Sequence, residues 1–311
     1  MLSAGTKKPA RGGLCVMWGL IGYQIRWQIS RKLFRSSFER IQIEQCMNRT
    51  DVTVSRQLAN KAEHLLREMR NTLEHAWEAI ENARPLMSDP QIIEPLNQTF
   101  AANTLNQLVW ALYTSAAVDT VKATFDDDER SASLATVYNI LDRPEVLAEL
   151  RSRRTAPVYM EPITGEGIGP QEARQLADEF MRNEQERAGK EFDDGLATTR
   201  EQFRKLRESD EAKRLCKARN KIMAHTDTVL DGDKFRRRTP EDYGLRWGDP
   251  ETVAAGSTGI MERLFVAILG VHTNTADSRR IFAANSDAFW AHLRTGLAIA
   301  SGGPDKPVRK I

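Results

Sequence analysis

SRQLANKAEHLLREMRNTLEHAWEAIENA, residues 55–83, decides the fold class. Leu58, Ala62, Leu65, Met69, Leu73, Trp77 and Ile80 recur every three or four residues, with charges between them. That spacing lines up one apolar stripe on a helix of period 3.6, so the stretch reads as a single long amphipathic helix. Pro85 is expected to close it, because proline has no N–H to continue the ladder.

Working outward, residues 99–124 repeat the pattern through Phe100, Leu105, Leu108, Val109, Leu112, Ala116 and Val121. The acidic turn Asp126–Glu129 ends that helix, and Ser131 or Ser133 caps a shorter one carrying Leu134, Val137, Tyr138 and Leu141. Pro144 suits the first turn of another short helix. Thr155–Pro170 is rich in Pro and Gly and reads as a loop. Residues 171–206 are helical and very polar, and Ser209 or Asp210 caps the next helix, which runs to about His225. A loop with Gly232, Pro240, Gly244 and Gly248 follows. Asp249 and Pro250 then start a helix bearing Ile260, Leu264, Phe265 and Ile268. Ser286 is expected to start the last one, with Phe289, Trp290, Leu293 and Leu297, and the tail 301–311 reads as loose. Several long amphipathic helices joined by modest loops predict an all-α, up-and-down bundle with additional C-terminal helices. The Trp and Leu stripes are read as core.

Composition narrows the function classes. Of 311 residues, 41% are hydrophobic and 28% charged, enough for a core without disulfides or metal. Cys15, Cys46 and Cys216 are scattered, with neither zinc spacing nor a disulfide framework, so a reducing, cytoplasmic setting is expected. There is no Walker loop, dinucleotide glycine pattern or serine-nucleophile elbow. Neither cofactor nor metal is expected. Asp126-Asp127-Asp128-Glu129 offers ligands for a hard cation, but four consecutive acids after a helix read first as a solvated turn.

The net charge of +2 hides an asymmetry, since residues 1–46 hold eight Lys/Arg against two Asp/Glu and the rest is net acidic. Residues 1–46 are read as a basic, disordered extension, with a signal or transit peptide, or a start at Met47, as alternatives. The apolar run near Leu14–Ile25 is too short to span a bilayer, so no membrane partner is expected. The remaining boundaries are 47–230 for the bundle, 231–300 for a loop plus C-terminal helices packed on it, and 301–311 for the tail.

Chemistry concentrates near the end of the helix from Ser209. From Arg204 to Lys221 there are eight Lys/Arg against three acids. Lys213, Lys217 and Lys221 are four apart and share one face. Lys234, Arg236, Arg237 and Arg238 follow in the next loop. A basic patch on a net-acidic body is the footprint of a phosphate binder, although a solvated charged face has the same spelling. Within the patch lies Arg219-Asn220-Lys221-Ile222-Met223-Ala224-His225, with His225 where a helix should end. A helix C-terminus favours the imidazolium form, useful in a proton donor, though such a histidine can also serve only to offset the dipole.

The run Leu215-Cys216-Lys217-Ala218-Arg219-Asn220-Lys221-Ile222-Met223-Ala224-His225-Thr226-Asp227 resembles the motif of the AbiU-type abortive-infection branch of the HEPN superfamily. A second stretch is similar to that family as well: the apolar helix Leu105 to Val121, the charged turn Asp126–Arg130, then Ser131-Ala132-Ser133-Leu134. The resemblance covers residues 55–230; residues 1–46 have no counterpart, and the Thr155–Pro170 loop is long for the family. Spacing alone is weak evidence, because random placement of 32 Arg and 5 His gives about 1.5 matches. Arg70-Asn71-Thr72-Leu73-Glu74-His75 is a second match, but it sits mid-helix, where solvated or helix-flanking side chains are the simpler reading.

The resemblance implies a HEPN-type bundle that dimerises, brings two copies of the motif together and, in active relatives, cleaves RNA without a metal. The implied reaction is attack of an RNA 2′-OH on the adjacent phosphodiester. His225 would be the general acid or base, and Arg219 would stabilise phosphate charge. Asn220 would orient an oxygen or the histidine, and Lys213, Lys217, Lys221, Arg236 and Arg237 would steer the RNA backbone. On a straight helix Arg219 and His225 would lie about 120° apart and about 9 Å along the axis. Either the helix breaks near Ala224 or the site assembles across a two-fold. An antitoxin or regulatory protein is a further partner the family suggests. Many relatives bind RNA, nucleotide or a partner without cutting, so a non-catalytic helical module stays the alternative, and a purely structural helical protein a third.

Overall fold

The computed structural model describes residues 37–97, 99, 101–157, 169–220, 228–231, 234–237, 242 and 244–300. Two compact units divide the chain, Met1–Val54 and Ser55–Ile311. In the first, the described residues are helical from Ser37 onward. The second is all-α with one small hairpin.

The elements, in order, are α1 (Ser37–Ser88), α2 (Pro90–Asn97), α3 (Ala101–Phe125), α4 (Leu134–Leu141), α5 (Pro144–Arg154), α6 (Pro170–Glu208), α7 (Asp210–Ala218), β1 (Thr228–Asp231), β2 (Lys234–Arg237), α8 (Asp249–Leu264), which continues through a π turn (Phe265–Leu269), and α9 (Thr275–Ala300).

The stripe that began the reading is the core. Ala62, Leu65, Met69, Leu73 and Trp77 are buried. Leu134, Val137 and Leu141 of α4, Val146 and Leu150 of α5, Phe192 and Leu196 of α6, and Ile260, Met261 and Leu264 of α8 close over the same α1 stripe. Helix α8 touches α3, α6 and α7, so it is the central element. Among the described residues, the segment Asp249–Leu269 is the one long and apolar enough to cross a membrane by length and composition. Its Ile260, Met261, Leu264, Phe265 and Ile268 side chains lie in this core. Buried polar groups on α8 are paired: Thr258 Oγ1 accepts the Trp77 indole N–H at 3.0 Å, and the Ser257 and Thr124 hydroxyls meet at 2.7 Å. Gly195 is where α6 meets the π turn, and a Cβ there would lie 2.8 Å from the Cβ of Ala267. The polar α6 therefore gives up helix propensity at that point to let two backbones approach.

Caps set the short helices. Ser133, not Ser131, caps α4: its Oγ accepts the Thr136 N–H at 3.0 Å and donates to the Asp126 carbonyl. The acidic turn is thus tied down through its backbone, while Arg130 pairs with Asp128 at 2.9 Å and pulls that carboxyl down to about 2. Pro144 opens α5, and Ser209 caps α7 by accepting the Ala212 N–H at 3.2 Å.

Four expectations change. Leu108, placed on the α3 stripe, is 42% exposed, while Leu105, Val109, Ala116 and Val121 of that stripe are buried and are joined by Tyr113 and Ala117. The segment after His225, read as a loop, contains an antiparallel hairpin pairing Val229 with Arg236 and Leu230 with Phe235. The separation of these runs by Gly232-Asp233 was the sequence signal.

The other two changes share one cause. Helix α1 passes through Pro85 and ends at Ser88, and Ser286 lies inside α9 rather than at its start. Pro85 cannot donate to the carbonyl of Glu81, four residues back. The Ser286 hydroxyl, 2% exposed, donates to that carbonyl at 3.0 Å. Helix α9 instead starts where the Glu262 carboxylate accepts the Thr275 N–H at 2.7 Å and Asn274 Oδ1 accepts that of Ala276 at 3.2 Å.

Ser286→Ala should therefore orphan a buried carbonyl and cost about 1–3 kcal/mol in urea unfolding. In a Pro85→Ala background a backbone donor is restored and most of that cost should vanish. An equal cost in both backgrounds would refute the pairing.

Candidate functional site

Helix α7 carries the described part of the motif. Its composition is divided by face. Ala212, Leu215 and Ala218 are buried and pack with Tyr113, Ala117 and Val121 of α3, Leu245 and Val253. Lys213 and Lys217 are exposed together on the other side. Asp210 and Glu211 lie in the first turn and Lys217 in the last, which complements the helix dipole at both ends.

The α-helical span ends at Ala218; Arg219 still donates its N–H to the Leu215 carbonyl, and the backbone takes π character at Arg219 and Asn220, the last described residues of this stretch. The rest of the expected run to about His225 lies outside the described residues. Such wider turns often occur at functional positions. Arg219 is half-buried and its Nη1 donates to Asn220 Oδ1 at 3.1 Å; Asn220 is exposed. Of the expected site residues these two are brought into direct contact. Lys221 and His225 lie outside the described residues. Arg236 and Arg237 are successive positions of β2, in register with Val229 and Thr228, rather than in a loop.

The cationic count is smaller in space than in sequence. Arg204 is taken by Glu201 at 2.8 Å and Glu208 at 3.0 Å, and Lys205 also reaches Glu201 at 3.4 Å. Lys213 Nζ is 3.9 Å from Asp210. Arg214 turns away from the exposed lysines and forms a two-pronged pair with Asp249, at 2.9 and 2.8 Å. Asp249 is 2% exposed and also accepts the Arg246 N–H at 2.9 Å. Sequence reading treated Arg214 as patch and Asp249 as a cap. The structure makes them the fastening between α7 and the start of α8.

Burial pushes the Cys216 thiol up, against the opposing pull of Arg219 and Arg207. Among the described residues no group of three or more His, Cys, Asp or Glu side chains is placed to hold a metal. An open groove between α5 and α6, lined by Arg151, Gln185, Lys190 and Asp193 among others, contains none of the candidate residues.

The second arginine–histidine match is committed to structure. Arg70 Nε donates to Glu74 at 2.9 Å, and Glu74 also accepts the Ser278 hydroxyl at 3.2 Å, joining α1 to α9. His75 is largely exposed, with Glu78 3.9 Å away.

Sequence reading did not single out Trp247, which fell in the segment read as a loop; it is 45% exposed and held edge-on against Tyr113 at 4.4 Å between ring centroids. Its position after Arg246 in a Gly-flanked turn was the available signal.

No curated protein and no solved structure matched the chain. A HEPN family model described as AbiU2 matches residues 55–280, beginning where the resemblance begins and extending through α8 into α9. With well over half its length inside that match, the chain belongs to the AbiU2 family of HEPN proteins.

Proposed function

We propose that this protein is an RNA-acting HEPN protein of phage-defence or toxin type, an endoribonuclease that works as a homodimer without a metal. The observation that carries the reading is Arg219. It directly follows the last α-helical residue of α7, partly exposed and bonded to Asn220, on the segment that carries exposed Lys213 and Lys217, inside a matched HEPN family region. A planar guanidinium held by a neighbouring amide is suited to gripping a phosphodiester in a fixed orientation.

In the proposed reaction the ribose 2′-oxygen attacks the adjacent phosphorus and the P–O5′ bond breaks. The products are a 2′,3′-cyclic phosphate and a 5′-hydroxyl. His225, outside the described residues, moves a proton, either taking it from the 2′-OH or giving it to the leaving 5′-oxygen. Arg219 offsets the charge that develops on the equatorial oxygens. Lys217, Lys221, Lys213, Arg236 and Arg237 draw in the RNA backbone. The second copy supplies the group that one protomer cannot bring to bear alone.

Purified protein incubated with total RNA in chelator, beside His225→Ala, tests the proposal. Cleavage by the parent and none by the variant is the expected result, with cyclic-phosphate ends on the fragments. Cleavage that persists in the variant removes His225 from the mechanism. Retained RNA binding with no cleavage by either protein favours the non-catalytic RNA-binding module.

A further inference from the structure

Ser209 alone separates α6 from α7, ending one helix and capping the other. Leu206, in the last turn of α6, and Cys216 of α7 pack against the same cluster of Ala212, Leu215 and Ala218. The end of α6 is therefore laid beside the motif helix and brings its own cations there.

Most cations of the two helices are already committed. Glu201 and Glu208 hold Arg204, Glu201 also reaches Lys205, Asp210 meets Lys213, and Asp249 takes Arg214. Arg207 is exposed and has no acidic partner among the described residues. Arg219 has none either, its guanidinium being bonded to the Asn220 amide.

Helix geometry decides which cation stands with Arg219. Helical dihedrals persist through Arg219, at φ −55 and ψ −48. At about 100° per residue, Lys217 lies about 160° round the axis from Arg219, and Lys213 about 120°. Cys216 is about 60° away, on the side of Arg219. The charges felt at its thiol are those of Arg219 and Arg207. The uncommitted guanidinium on the Arg219 side of α7 thus comes from the neighbouring helix, while the two lysines occupy another side.

We propose that Arg207 and Arg219 form a two-guanidinium clamp for an RNA phosphodiester, one arm from each helix. The inference rests on the RNA-acting reading above and names a further binding residue for that site. Each planar fork can meet phosphate oxygens in a fixed direction, which a lysine cannot do. Two uncompensated guanidinium groups on one side repel each other, and an anion between them relieves that repulsion. The lysines then supply attraction at longer range, and the arginines the grip.

The test uses the full chain and a short 2′-O-methyl uridine strand, which keeps the phosphates but lacks the attacking hydroxyl. Fluorescence anisotropy at low salt compares Arg207→Gln with Arg204→Gln, which removes the same charge from a residue already held by Glu201 and Glu208. Arg207→Gln should weaken binding by about 10- to 100-fold, the span for losing a hydrogen bond to a charged group, and lower the salt slope by about 0.7. Arg204→Gln should bind within about threefold of the parent. Equal behaviour of the two variants overturns the clamp and leaves the RNA reading standing. A parent that does not bind the strand overturns both. A second readout needs no RNA. In a background of Cys15→Ser and Cys46→Ser, Arg207→Gln should move the pH profile of Cys216 alkylation to higher pH, because a cation favouring the thiolate is gone. An unmoved profile places Arg207 away from the Arg219 side of α7 and overturns the clamp by itself.

Discussion

Arg219→Lys is expected to lower single-turnover RNA cleavage by about 100- to 1000-fold, the range for removing one preorganised donor from a developing oxyanion. RNA affinity should change little. Lysine keeps the positive charge but is a point charge on a flexible stem, without the planar fork that meets two phosphate oxygens at once. It also cannot reproduce the oriented contact between Arg219 Nη1 and Asn220 Oδ1 at 3.1 Å. The expected signature is therefore a fall in rate at saturating protein, with binding and its salt dependence preserved. A lysine variant that cuts within about threefold of the parent would leave Arg219 as one more steering charge and move transition-state stabilisation elsewhere.

Asp249→Ala should be the most damaging single change to stability, at about 3–5 kcal/mol, from breaking a buried ion pair on one side. The carboxylate is 2% exposed and satisfies three donors: two N–H groups of Arg214 and the backbone N–H of Arg246. Truncation leaves the guanidinium, itself mostly covered, with only Glu211 of its own helix, at 3.2 Å, as a partner. Against a usual total of about 5–15 kcal/mol, that loss should move the urea midpoint far enough to populate unfolded protein in buffer. Replacing both members, Arg214→Met with Asp249→Leu, removes the charge from both sides and should restore most of the loss. A shift below about 1 kcal/mol in the single variant would show that apolar packing of Ala212, Leu215 and Ala218 alone fastens α7.

The two results would be linked. Asp249 touches no expected RNA-contacting residue directly. It fixes Arg214, hence α7, hence the direction in which Lys213, Lys217 and Arg219 point. In the double apolar variant, cleavage tests whether the helix needs a directional fastening or only a packed one.

The sequence by itself determined the all-α class. The 55–83 stripe, the α3 stripe, the Ser133 and Ser209 caps and the Pro144 start are local patterns whose period or hydrogen bond is complete within a few residues. It also determined the family, because the Arg219-to-His225 run and its upstream segments are linear spellings. Only the tertiary structure decided what depends on groups far apart in the chain. Pro85 stays inside α1 because Ser286, from another helix, fills the hydrogen bond that proline vacates. Arg214 leaves the basic patch because Asp249 waits in a buried position to take it. Trp247, in a segment read as a loop, is held edge-on by Tyr113 from α3. In each case the residue type is legible in one dimension, but its role follows from a partner whose distance no local period encodes.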